Sequence, residues 1–413
     1  LTDSGTLAAS VLVTLDSNTS GTIDASLITN LTGTSADLAA LYTSQGQATG
    51  ISGLGNETVT ISETPNPAVA DANLINAATT GAVTATLASG SMSELASLTG
   101  DESQVYTITV TDSSVNASEI ITLEDKTSVA LNLSNVSTIV GTDAEIKAVY
   151  VLDQNGDVTG LGNEALSVSN TSTITELNDL DAETTGVITA NVNSGNASTL
   201  SGLANANSNN AYSYTLTDTS IVASTLNTLA AATAGTITVS ATTITGAVAD
   251  IKTAYASSGL SGLGDEAVTI TDTTVAAADM LTLNSATSGI ITATGVETVS
   301  GSISDLTSIN LIETDQGNAG QQIDLDTDFT VTITDTGTVA ALTLTSVDAA
   351  VPGAITATNI DKVTGTGSQI AAAATADENG TLILKEDFLA EVSAGVAVNA
   401  ADLNTISART TAT

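Results

Sequence analysis

Ile270-Thr271-Asp272-Thr273, then Ala276-Ala277-Ala278-Asp279-Met280-Leu281, then Ser288-Gly289. This reads as a β-branched strand closed by an acid, a helix start and a glycine stop, and the phrase recurs down the chain. The acid or amide closing the first strand falls at Asp3, Glu63, Asp112, Asn170, Asp218, Asp272 and Asp335. A glycine closing a second strand falls at Gly33, Gly90, Gly141, Gly195, Gly246, Gly301 and Gly365, in steps of 57, 51, 54, 51, 55 and 64 residues. A repeat of this period means an array, in which each unit buries its apolar face only against its neighbours.

The marks divide the chain into units at 1–60, 61–109, 110–167, 168–215, 216–269, 270–332 and 333–395, with a partial eighth at 396–413. Longer and shorter units alternate through the first four or five. The longer ones carry an insertion, Gly53-Leu54-Gly55-Asn56-Glu57, Gly160-Leu161-Gly162-Asn163-Glu164 and Gly262-Leu263-Gly264-Asp265-Glu266, preceded at matching places by Tyr42, Tyr150 and Tyr255. Only the stretch from Ala371 to Gly395 departs, reading as an Ala-rich helix, a strand at 381–384 and a helix around Glu386 to Val392.

Each unit splits into two halves. One runs strand, helix, glycine: Val268 to Asp272, Val275 to Ala286, Gly289. The other runs strand, glycine, helix: Thr242 to Gly246, then Ala249 to Ser257. The strands alternate Thr with Val and Ile, which suits a half-buried pleated surface. The helices are two to three turns long and hold only when packed on the strands. Parallel strands stack about 4.8 Å apart whereas packed helices need 8–10 Å, so a coil of one strand and one helix splays on its helical side. The expected fold is an α/β repeat solenoid, β-solenoid-like, with short parallel strands alternating with short helices, elongated and curved. A string of small α/β modules is the competing architecture.

Many of the acids have a local task. Thr34 with Asp37, Ser91 with Glu94, Thr142 with Glu145, Ser302 with Asp305 and Thr366 with Gln369 fit the capping box, in which hydroxyl and carboxylate satisfy orphan helix amides reciprocally. Asn116 with Glu119 and Thr173 with Glu176 fit it too.

Composition limits the function classes. Against 45 acids stand 6 basic residues, a net charge of -39, so nucleic acid and anionic membrane surfaces are repelled. With 42% hydrophobic residues the chain has enough Ala, Val, Leu and Ile for a core, and with no Trp, two Phe and six Tyr that core is aliphatic. Cysteine is absent, so disulfides are too. No apolar run reaches the length of a membrane span. Leu1 opens inside the first strand of a unit, and Val398-Asn399-Ala400-Ala401-Asp402-Leu403 restarts the phrase near the other end, so the array reads as one that continues.

Without His or Cys the usual proton shuttles, thiol nucleophiles and soft-metal ligands are missing, and no nucleophile elbow, phosphate loop or dinucleotide fingerprint occurs. An enzyme is not expected. Calcium is the one cofactor to weigh, because hard oxygen ligands abound. The stretch Asp153, Asn155, Asp157 and Glu164 has EF-hand spacing, but Val158 stands where that loop needs glycine, and a surface loop is the simpler reading. The better calcium candidates are the insertion acids Glu57, Glu164, Asp265 and Glu266 with the strand-end acids Asp218, Asp272 and Asp335.

The phrases Ile-Thr-Asp-Thr, Leu-Asn-Ser-Ala-Thr-Ser-Gly and Gly-Leu-Gly-Asp-Glu-Ala resemble the tandem repeats of very long, acidic surface or secreted proteins of marine unicellular cyanobacteria, some of them adhesin-like or calcium-binding. The resemblance implies an extracellular or cell-surface location and a structural or adhesive role. The expected function is a filament, sheath or surface-layer component that stacks head to tail on copies of itself, with surface polysaccharide or other surface proteins as further partners. The alternative is the stalk of a large adhesin or phage-like fibre whose binding domain lies elsewhere.

Overall fold

The computed structural model describes residues 1–413 apart from 3, 205–208, 315–322, 396, 412 and 413, and the side chains of 310–314. The fold is α/β, with short parallel strands in several sheets alternating with helices, and no sheet closes into a barrel. Contacts group the chain into two units, Leu1–Asn193 with Gly202–Ser213, and Ser194–Ser201 with Tyr214–Thr413.

One pairing rule holds in both. Among the described residues every strand pairing is parallel, and each strand pairs with one that follows it by 20 residues (Thr171 with Asn191) to 32 (Thr298 with Thr330). Order in space therefore follows order in sequence. In the first unit one sheet runs Gly5–Ala8, Ile28–Gly33, Thr58–Ile61, Val83–Thr86, Val105–Thr107. In the second, one runs Ser220–Val222, Thr243–Gly246, Ala267–Ile270, Ile291–Ala293, Ile323–Leu325, and the next starts at Thr274–Ala276 and runs to Leu382–Leu384. The three five-stranded ladders each open at a helix-preceding strand, Gly5–Ala8, Ser220–Val222 and Thr274–Ala276; the sheet opening at Ser114–Asn116 has seven strands and the one opening at Gly337–Ala340 has three.

Between paired strands the chain makes one helical excursion, and consecutive helices pack side by side: Ala9–Ser17 on Ser35–Ser44, Ala223–Ala231 on Val248–Ala256, and Gly367–Asn379 on Ala400–Arg409. The helices bury Leu and Ala against inward Val, Ile and Leu of the strands, as with Leu12, Leu38 and Leu41 over Leu31 and Val59, all fully buried. The small residues set the coil spacing. A side chain on Gly141 would come 3.0 Å from Ala117 Cβ, and one on Gly301 would come 2.6 Å from Ala277 Cβ, so the strand-closing glycine seats against the first alanine of the helix one coil earlier. That close approach explains why glycine and alanine recur together.

Several expectations are refined. The Thr-Asp-Thr half holds two strands where one was expected, Ala267–Ile270 and Thr274–Ala276, with the helix beginning only at Ala277. The other half gains Ile237–Val239 before Thr243–Gly246. The alternation of long and short units is largely helical: the shorter second and fourth units keep one turn, Met92–Leu95 and Ala197–Leu200, where the third has Asp143–Asn155. The segment 386–392 holds the strand Leu389–Val392 and no helix, because it pairs in parallel with Ile360–Gly365. Asp153 and Asn155 lie in the last turn of a helix that Gly156 ends in left-handed conformation, while Asp157 and Glu164 follow it, so the four do not share one loop as an EF-hand requires.

Candidate functional site

The recurrent strand-end acid is a helix cap that acts on the helix of the preceding strand-and-helix segment. Asp112 accepts the amide of Met92 at 2.5 Å, Asp218 that of Ala197 at 2.7 Å, Asp272 that of Val248 at 2.7 Å and Asp335 that of Ile303 at 2.7 Å. Glu63 does the same for Ser35 at 3.1 Å, and Asn170 for Asp143 at 3.0 Å. In all six the donor is the first residue of the helix one coil earlier. Asp3, the seventh member, lies outside the described residues. First-turn amides have no partner within their own helix, and a carboxylate at that end also meets the positive end of the helix dipole. The residue before the acid completes the corner: the amides of Thr111, Thr271 and Thr334 donate to the carbonyls of Gly90, Gly246 and Gly301 at 2.9–3.0 Å.

Two of these helices and two others are capped from within. Thr142 Oγ1 accepts the Glu145 amide at 3.2 Å, and the Glu145 carboxylate accepts the Thr142 amide at 2.9 Å. Ser91 with Glu94, Thr173 with Glu176 and Thr366 with Gln369 complete the same box. Hydrogen bonds to the serine and threonine, backbone amide first and hydroxyl second, hold the Glu94 and Glu145 carboxyls below the ordinary carboxylate range. Asn116 departs from expectation: its side chain donates to Glu119 at 3.1 Å and makes no bond to a helix amide.

The insertions build a second device. Glu57, Glu164 and Glu266 are 1%, 0% and 1% exposed. One carboxylate oxygen of each sits in a nest of two consecutive amides: Gly55 and Asn56 at 2.6 and 3.1 Å, Gly162 and Asn163 at 2.7 and 3.0 Å, Gly264 and Asp265 at 2.7 and 2.8 Å. The other oxygen receives the hydroxyl of Tyr42 on Glu57 and of Tyr150 on Glu164. Burial, and then the bond to the glutamate, push both tyrosines well above their ordinary range. From the next coil Thr79, Thr184 and Thr287 each donate to the glutamate's own carbonyl at 2.7 Å. The Thr-Gly stop belongs here, since a side chain on Gly186 would lie 2.1 Å from the Glu164 carbonyl oxygen.

This position, directly before a strand, recurs through the chain with different chemistry. In the second unit Gln104 accepts the Val83 amide at 2.7 Å, and in the fourth Asn210 accepts that of Ile188 at 2.8 Å. Toward the C-terminus Phe329 and Phe388 fill it with buried rings. Only the glutamates among these had a visible sequence signal, through the glycines beside them.

No family model, no curated protein and no solved structure matches this chain. The site must therefore be read from its own geometry. Of the calcium candidates, Asp218, Asp272 and Asp335 face helix amides, Glu57, Glu164 and Glu266 lie in the nests, and Asp265 is exposed with its amide turned to Glu266. Among the described residues no three or more acidic side chains gather as a metal-binding group. Five of the six basic residues also join successive strand-and-helix segments: Lys147 pairs with Asp179, Lys252 with Asp279, Lys362 with Glu391 at 2.8 Å and Lys385 with Asp361 at 3.0 Å. Arg409 pairs with Asp377, the buried partner of that pair. No described helix is long and apolar enough to cross a membrane. The recurrent polar groups bond each strand-and-helix segment to the one that follows it in sequence.

Proposed function

We propose that this chain is a structural repeat protein of the cell exterior, an α/β solenoid that forms or belongs to a filament, sheath or surface layer. The observation that carries the reading is the cap across coils, in which six helices take their first-amide partner from the coil that follows. A coil built this way is completed by its neighbour, and the same contact can be repeated without limit. Such a head-to-tail contact, offered by another copy, propagates as an open polymer. The resemblance to the long acidic surface proteins of marine cyanobacteria supports the same setting, and a chain with six basic residues gives trypsin-like proteases little to cut.

Negative-stain microscopy of the purified chain over a concentration series tests the reading. Polymers that lengthen with concentration at uniform width support it. Separate particles of one fixed length favour the stalk of an adhesin or fibre instead.

A further inference from the structure

The strands are almost free of charge although the chain carries -39. Across the described strands charge occurs only at Asp24, Asp324, Asp361, Lys362 and Glu391, and the first five-stranded sheet has none. Its outward ranks are rich in hydroxyls in register: Thr32 beside Thr60 beside Thr84, flanked by Ala8 and Val105, then Thr86 beside Thr107. The second unit repeats the pattern as Thr245, Thr269 and Thr292, a rank that ends on the exposed Asp324, and as Ser300, Thr332 and Thr356, and Thr298 and Thr330 bond through their hydroxyls at 3.0 Å. Their neighbours Val59, Val83, Ile270 and Val331 point inward and are buried. Most acids lie elsewhere, on helices and corners, as with Glu119, Asp179, Glu183 and Asp279.

We propose that these outer threonine faces, that of the charge-free first sheet foremost, are surfaces on which a second copy of the chain lies side by side. Two chains of -39 repel wherever their acids meet, so close approach is cheapest where neither carries charge. A threonine hydroxyl both donates and accepts, so facing ranks satisfy one another while their methyl groups exclude water. The rank spacing of about 4.8 Å is fixed by the parallel ladder, so two such faces share one period. A polysaccharide is the less suited occupant, since no Trp and no outward-facing Tyr or Phe of these ladders offers a stacking platform. The proposal rests on the self-assembling role above and names its lateral contact, distinct from end-to-end growth.

The absence of cysteine makes the test clean. Thr86→Cys on the sheet face and Ser224→Cys on an exposed helix position are each oxidised in the full-length chain. The expected result is a disulfide-linked dimer from Thr86→Cys and little from Ser224→Cys; equal cross-linking of both, or none of Thr86→Cys, overturns the proposal. The combined variant Thr60→Glu, Thr84→Glu, Thr269→Glu and Thr332→Glu is expected to lose side-by-side bundling while single polymers persist. Bundling equal to the parent's overturns it, and where that variant does not fold the cysteine pair decides alone. If the parent forms no polymers yet Thr86→Cys still cross-links selectively, the end-to-end reading fails and the lateral contact stands.

Discussion

The carboxylate of Asp272 accepts the amide of Val248 at 2.7 Å, and the two residues belong to successive coils. Asp272 sits in the corner between the strands Ala267–Ile270 and Thr274–Ala276 while Val248 begins an earlier helix, so the acid has no capping task in its own half-unit. Removing the carboxylate should therefore loosen the contact between coils. Asp272→Ala is expected to cost about 0.5–2 kcal/mol, the usual range for a lost helix cap, and Asp272→Asn distinctly less, since Asn170 caps Asp143 by the same geometry. Urea denaturation of the two variants checks the order.

The buried glutamates should be more sensitive. Tyr150→Phe leaves one oxygen of a fully buried carboxylate without its donor, at an expected cost of about 1–3 kcal/mol. Gly186→Ala places a methyl against the Glu164 carbonyl and is expected to cost more than Tyr150→Phe. Thermal melts of both rank the two effects.

Alkali should destabilise the chain through the same tyrosines. Tyr42 and Tyr150 are held above their ordinary value by burial and by the glutamates. A group whose folded value is raised contributes stability that is complete below its unfolded value, about 10, and is lost as pH rises through the folded one. Stability should therefore decline above pH ~10, and Tyr150→Phe should decline less steeply from a lower start. Melting temperature across that range gives the slope.

Acid tests the capping boxes with the opposite sign. Glu94 and Glu145 are held below the ordinary range, so their contribution is present above the unfolded value, about 4.3, and is lost as pH falls through the folded one. Glu145→Gln should show a shallower acid limb than the parent, because Gln369 already caps Thr366 without a proton to gain. The difference between variant and parent removes the general relief of repulsion that acid brings to 45 carboxylates.

Repulsion itself predicts a salt effect. Sodium chloride should raise the melting temperature by screening, and calcium chloride at equal ionic strength should raise it by a similar amount. A rise confined to calcium at low concentration would instead identify a specific site among Asp218, Asp265, Asp272 and Asp335.

The period, the glycine marks and most capping boxes were legible in the sequence because each depends on residues a few positions apart. The caps across coils were not: Asp272 and Val248 are 24 residues apart, and spacing alone does not tell a strand-end acid which amide it will meet. The extra strands Thr274–Ala276 and Ile237–Val239 were hidden because three residues carry too little alternation to stand out. Leu389–Val392 looked helical for the same reason, and only its pairing with Ile360–Gly365 makes it a strand. The insertion acids were marked by their glycines, yet their chemistry followed only once the nests and the tyrosines had been placed.

The central claim is that coil completes coil, within one chain and from copy to copy. Cryo-electron microscopy of the purified chain in its assembled state tests it most directly. The account predicts polymers of uniform width with the strand repeat of about 4.8 Å running along their axis. Isolated particles of a single length at every concentration would contradict it.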